Sequence, residues 1–225
     1  MPLVAPSVVA SDWARFGEAL EVMKAAGASM VHVDVMDGHF VPEISVGLPV
    51  VASLRRATAL AIDVHLLVER PERFLKDFIA AGADWVSFHL EATVHGRRVL
   101  EQIRAEGAKA GLAASPAAPL ETISELWSEI DFLNVLTAEA GIPEGKFIPA
   151  TVEKLVAASK IREERHLNFA LSAEGGLGPA HLEEIAGTGV DILVAGSAIF
   201  NDEDPRTRLT ELVRNAARIH RTSVV

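Results

Sequence analysis

The chain has 225 residues, of which 21 are basic and 31 acidic, giving a formal net charge of −10, and it contains no cysteine. With 49% hydrophobic and 23% charged residues it carries enough apolar material for a sizeable core, which argues against disorder. The negative field opposes nucleic acid and anionic membranes as partners, and the lack of thiols removes disulfides, thiolate nucleophiles and cysteine-ligated zinc. No apolar run reaches the roughly 18 residues of a membrane span, and no basic stretch leads into an apolar one at the start. A soluble, cytoplasmic protein is therefore expected.

In chain order, short runs rich in Val, Ile and Leu alternate with longer segments of helical period. Strands are predicted near 3–9, 30–35, 60–67, 85–91, 109–114, 131–137, 167–173 and 191–195. Helices are predicted near 12–26, 45–57, 71–81, 95–106, 119–128, 151–163, 178–187 and 205–219. Gly27, Gly82, Gly107 and Gly189 each stand just before a strand, where glycine suits the left-handed turn past a helix end. They recur at near multiples of about 27 residues, one strand–helix unit. Eight such units fill the chain. Regular βα repetition demands parallel strands and right-handed crossovers, so a single α/β domain, a closed (β/α)8 TIM barrel over 1–225, is expected in preference to an open doubly wound sheet. In that fold the chemistry lies where strands end.

Polar residues gather at those ends. His32 and Asp34 are two apart and share a strand face, as do Asp63 and His65. His89 and Glu91 close the fourth strand, and Glu174 the seventh. A lone late-strand histidine is usually structural, and His32 with Asp34 alone reads equally well as a satisfied hydrogen bond. Four such strand ends together read as a site, and imidazole plus carboxylate without sulfur suits Zn, Fe, Mn or Co. Gly175-Gly176 and Gly196-Ser197 follow the last two strands, where glycine-rich turns present backbone N–H groups to a phosphate. Trp13, Trp85 and Trp127 are expected to pack helices against the barrel.

Ala5-Pro6-Ser7, the block from His32 to Pro42 (HVDVMDGHFVP), Asp63-Val64-His65-Leu66 and Ala195 to Phe200 resemble the ribulose-phosphate 3-epimerase family. The resemblance implies a barrel, a homo-oligomer, and inversion of C3 of a ketose phosphate through an enediolate. It matches His32, Asp34 and His65 to ligands of a divalent metal. Asp34 also matches one of two catalytic carboxylates that exchange the C3 proton from opposite faces. Ser7, His65 and Met36 match substrate contacts, Met36 as an apolar cap, and Gly176, Gly196 and Ser197 match phosphate-binding positions.

Three positions depart from the family pattern. Glu174 stands where the family places the aspartate that is its second catalytic carboxylate and fourth metal ligand. The loop Ala138 to Phe147 lacks the family's Asn-, Pro- and Gly-rich character, with Pro143 unable to donate an N–H, Glu144 opposing an anion, and Lys146 as a compensating charge. Glu43 replaces an asparagine. These changes leave two alternatives beside the epimerase: a related sugar-phosphate epimerase, isomerase or lyase of altered specificity, and a non-catalytic sugar-phosphate-binding paralogue. A related decarboxylase family carries a lysine two residues after the third-strand aspartate, but here that position is His65.

Overall fold

A computed structural model describes residues 2–142 and 145–222; for Glu183 and residues 217–222 it describes the backbone alone. Eight strands run parallel: β1 (Leu3–Pro6), β2 (Met30–Met36), β3 (Ala61–Leu67), β4 (Trp85–His89), β5 (Lys109–Ala114), β6 (Phe132–Leu136), β7 (Ala170–Glu174) and β8 (Ile192–Ala195). The sheet order β1-β8-β7-β6-β5-β4-β3-β2 leaves β1 and β2 to meet, and the bridge from Ser7 to His32 joins them. An open doubly wound sheet has no such closure, so the fold is the TIM barrel. Outside lie α1 (Phe16–Ala25), α2 (Leu48–Ala57), α3 (Leu75–Ala80), α4 (Gly96–Ala105), α5 (Thr151–Glu164), α6 (Leu182–Ala186), α7 (Ser197–Phe200) and α8 (Pro205–Thr222).

The strands are buried on both faces, as parallel barrel strands must be. On β2, Val31, Val33 and Val35 face the helices and join the main core, while His32 and Asp34 face inward. The inward residues form a graded column. Ala5, Met30, Ile192 and Val194 with Ala61, Trp85 and Ala170 make an apolar floor, and the polar side chains lie above it.

Asp84, Asp131 and Asp191, each immediately before an even-numbered strand, lock the floor. The N–H of each donates to the carbonyl of Ile62, Ala110 or Leu171 in the preceding strand, at 2.9, 2.7 and 2.7 Å. Each carboxylate in turn accepts the N–H of that same residue, at 2.8, 2.9 and 2.8 Å. Arg55 from α2 and Arg162 from α5 neutralise the first and third. These two-point clamps fix strand register, and a one-residue slip would turn every inward polar group outward. They also display the two-unit internal repeat of the chain.

Three details differ from the sequence-based expectations. The helix predicted at 119–128 is a 3-10 helix over Leu120–Glu129. Its apolar residues Leu120, Ile123 and Leu126 recur every third position, which matches three residues per turn, and Thr122 and the serines weaken the α-helical alternative. The short helix α7 lies in a stretch read as a loop. Of the three tryptophans only Trp127 packs in the helix layer, stacked on Phe169 at 5.5 Å. Trp85 shares parity with Ser87 and His89 and so points into the barrel floor. Trp13 is 48% exposed and stands on the rim of the site.

Candidate active site and metal centre

Strand parity carries four side chains from three strands to one point: His32 and Asp34 from β2, His65 from β3 and Glu174 from β7. One ligand atom from each lies within 4.8 Å of the others, and all four residues are buried. His32 Nε2 is 3.1 Å from Asp34 Oδ1 and 3.3 Å from Glu174 Oε2. His65 Nδ1 is 3.2 Å from Asp34 Oδ1 and 3.2 Å from Glu174 Oε2. Imidazole nitrogens and carboxylate oxygens thus alternate around a ring. A tetrahedral ion with bonds of about 2.0–2.1 Å needs ligand–ligand edges of about 3.3–3.4 Å, so the spacing and the nitrogen–oxygen donor set both fit a divalent cation.

A second tier of contacts orients these groups. Asp63 Oδ2 is 2.8 Å from His32 Nδ1, which leaves Nε2 directed at the ring of donors. Ser7 donates to Asp34 Oδ2 at 2.9 Å, Asn134 Nδ2 donates to Glu174 Oε2, and His89 Nε2 lies 2.9 Å from His65 Nε2. At the end of β2, Ser45 Oγ donates to Asp34 O at 2.6 Å and accepts from Met36 N–H at 2.9 Å. Asp37 accepts the N–H groups of His39, Phe40 and Glu69, tying the β2 loop to the β3 loop. The motif from His32 to Pro42 is therefore partly scaffold.

Electrostatics follow from burial and proximity. Burial by itself would push His32 down, but the carboxylates of Glu174, Asp34 and Asp63 outweigh it and hold its imidazolium well above the usual range. His65 feels the same opposition; Glu174 and Asp34 win and raise it to about 9. For Glu174, burial opposes ionisation, yet His65 and His32 keep its carboxyl well below the ordinary value. His89 has no comparable carboxylate. Burial, reinforced by the charge on His65, lowers it to about 3, so it is uncharged.

Above the cluster opens a cavity of about 370 Å³, within the usual size range of small-molecule sites. Its wall includes Ser7, Asp34, Met36, Glu174, Gly176, Gly196 and Ser197, so these expected site residues share one space. His32 and His65 sit fully buried behind the two carboxylates and form no part of that wall. Gly175 and Gly176 have φ of +107° and +65°, and a Cβ on Gly176 would lie 2.6 Å from Phe147 N, because the loop after β6 rests on this turn. That loop is the one that departs from the family pattern. Glu43 and Glu139 also line the cavity, whereas Lys146 is exposed and faces a neighbouring depression beside Phe147 and His181. Pro143 and Glu144 lie outside the described residues.

Sequence reasoning gives no role to Asn134 or His89. Asn134 is a polar residue inside the apolar run of β6, at inward parity, and that interruption is the signal it offers. His89 is legible as a strand end, but its partner depends on which strands adjoin.

The Ribulose-phosphate 3 epimerase family model matches residues 3–200. The chain belongs to the ribulose-phosphate 3-epimerase family. Family relatives include the ribulose-phosphate 3-epimerase of Mycobacterium bovis, 40% identical over 215 residues that cover 96% of this chain and 93% of the relative. That of Escherichia coli K12 is 39% identical over 218 residues, covering 96% and 97%. These homologues are isomerases, and the chain is an enzyme of this epimerase class. Among solved structures, KGPDC from Streptococcus mutans, in a complex with ribose 5-phosphate, superposes with a TM-score of 0.74 at 16% identity, covering 97% and 98%. Orotidine 5'-phosphate decarboxylase from Pyrococcus horikoshii gives 0.69 at 18%, covering 96% and 99%. At such identity these two share the family's barrel. No helix among the described residues is long and apolar enough to cross a membrane.

Proposed function

We propose that this chain inverts C3 of a ketose phosphate of the ribulose 5-phosphate and xylulose 5-phosphate type, with Asp34 and Glu174 as its acid/base pair. The observation that carries this reading is that two carboxylates, from strands three positions apart around the barrel, border one cavity with a common imidazole pair behind them. Epimerising a carbon beside a carbonyl needs a base on one face and an acid on the other. One carboxylate removes the C3 proton, leaving an enediolate, and the other carboxyl returns a proton to the opposite face. The reverse reaction exchanges the two roles. Asn134 holds Glu174 and Ser7 holds Asp34, so neither carboxylate has to be ordered at the moment of transfer. Met36 offers an apolar surface over the reacting carbons. Gly176, Gly196 and Ser197 receive the phosphate at the far end of the cavity through backbone amides, a mode of binding compatible with an acidic protein.

His32, Asp34, His65 and Glu174 would hold a divalent cation of the Zn, Fe, Mn or Co class. Bound there, such an ion stabilises negative charge on the enediolate oxygens. Oligomerisation, a cytoplasmic location and one domain over 1–225 belong to the same proposal, from the family resemblance and the continuous barrel. Deuterium incorporation at C3 of D-ribulose 5-phosphate in D2O, with divalent metal supplied, tests the reaction. Exchange at C3 together with formation of the epimer is expected; no exchange with this or related ketose phosphates overturns the proposal.

The imidazole pair makes metal uptake sensitive to pH. In the metal-free protein two imidazolium protons supply +2 to the carboxylates, and a divalent ion supplies the same charge in their place. Binding near neutral pH should therefore release protons, up to two per ion, measured by calorimetry in buffers of different ionisation enthalpy. Affinity should climb with pH until about 9, where His65 deprotonates, and then level off. The sign for stability is opposite. A histidine raised from 6.5 to about 9 favours the metal-free fold fully below pH 6.5, and that contribution disappears as pH rises through about 9. Chelated protein should lose melting temperature across that window and metal-loaded protein should not.

A further inference from the structure

The outer nitrogens of the two clustered histidines have different partners. His32 Nδ1 rests directly on a carboxylate, Asp63. His65 Nε2 rests on another imidazole, His89, with the rings stacked at 5.1 Å and 27°. Beyond His89 the contacts continue outward. His89 Nδ1 lies 3.1 Å from Ser115 Oγ, and Ser115 Oγ lies 2.8 Å from Glu91 Oε1. Glu91 is at the surface, so the series runs from the buried cluster to solvent.

We propose that His89, Ser115 and Glu91 form a one-way hydrogen-bond chain that fixes the tautomer of His65 and so turns its Nδ1 lone pair toward the candidate metal centre. His89 is a positioning residue in this scheme, and the scheme rests on the metal reading given above.

The direction is set at the outer end. An ionised carboxylate only accepts hydrogen bonds, so Ser115 must spend its single proton on Glu91. Ser115 Oγ then has lone pairs left for His89, and His89 Nδ1 must carry the proton between them. A neutral imidazole has one N–H, so His89 Nε2 is bare. An imidazolium here would be fully buried against a second imidazole, with its nearest carboxylate contact at 3.9 Å. A bare Nε2 at 2.9 Å from His65 Nε2 requires a proton on the latter, because two facing lone pairs would repel. His65 therefore donates from Nε2 and, when neutral, presents an unprotonated Nδ1. That nitrogen is the one 3.2 Å from both Asp34 and Glu174.

The chain is held in place along its length. Phe40 packs on the His89 ring at 5.0 Å. Lys154 from α5 donates to the carbonyls of Ser115, Pro116 and Ala118 at 2.7, 2.8 and 2.6 Å, pinning the turn that carries the hydroxyl. The asymmetry has a consequence for ligand strength: a histidine backed by a carboxylate is a stronger electron donor than one backed by a neutral ring. His65 is thus oriented without gaining the basicity that Asp63 gives His32.

The test uses zinc as the probe. In zinc-loaded wild-type protein labelled with 15N-histidine, the ring protons should lie on Nε2 of His65 and Nδ1 of His89; protons on the opposite nitrogens overturn the proposal without any mutation. Zinc affinity by chelator competition gives the second readout. His89→Phe removes the acceptor and should weaken zinc by about 10–100-fold. His89→Gln keeps a carbonyl acceptor for His65 and an N–H donor for Ser115, and should recover affinity to within about threefold of wild type. Equal affinity in His89→Phe and wild type, or no recovery in His89→Gln, overturns it. If wild-type protein fails to bind zinc at all, the metal reading falls and takes this inference with it, an outcome distinct from every one in which wild type binds.

Discussion

Replacing Asp34 with asparagine is expected to slow deuterium exchange at C3 by about 10³-fold or more, with the fold intact. Loss of a positioned acid/base group alone costs about 10²–10⁴-fold. Here the same substitution also withdraws one negative oxygen from the ring of donors, because Asp34 Oδ1 lies 3.1 Å from His32 Nε2 and 3.2 Å from His65 Nδ1. The amide keeps the shape and can still receive the Ser7 hydroxyl on its oxygen, so the thermal midpoint should move little. The loss should appear in kcat far more than in KM, since the phosphate end of the cavity, at Gly176 and Gly196, is untouched. Exchange within tenfold of wild type would remove Asp34 from the chemistry and leave it as scaffold.

Much of this arrangement is legible in the sequence for a physical reason. Parallel barrel strands are apolar on both faces, so inward polar residues such as His32, Asp34 and Glu174 interrupt runs that have no other reason to carry charge. Strand parity then gives their direction, and glycines with positive φ at 27, 82, 107 and 189 mark the unit length. What resists such a reading is pairing across the barrel. Asn134 reaches Glu174 forty positions away, and His65 reaches His89 only because β3 adjoins β4. The same holds for Trp85: residue type alone suits either layer, and its place in the floor follows from register. The 3-10 helix at Leu120–Glu129 is a subtler miss, because three- and four-residue spacings look alike over so short a stretch.

Glu174 poses the sharper question, because the family pattern has aspartate there. If the residue were interchangeable, Glu174→Asp should raise activity or leave it unchanged. The geometry argues for the opposite. Glu174 Oε2 is 3.3 Å from His32 Nε2 and 3.2 Å from His65 Nδ1, and the same oxygen accepts from Asn134. Shortening the side chain by one methylene, with β7 held in register by Asp191 at its start, withdraws the carboxylate from all three partners at once. Misplacement by about 1 Å can cost about 10²-fold, so Glu174→Asp should lower kcat by roughly that factor. The carboxylate is retained, so residual exchange should persist and should exceed that of Glu174→Gln, which has the length without the charge. Zinc affinity should fall in both variants. The decisive comparison is the order wild type, then aspartate, then glutamine in the rate of C3 deuterium exchange. An aspartate variant equal to or faster than wild type would mean that strand β7 yields to the side chain, and that reach at this position does not limit proton transfer.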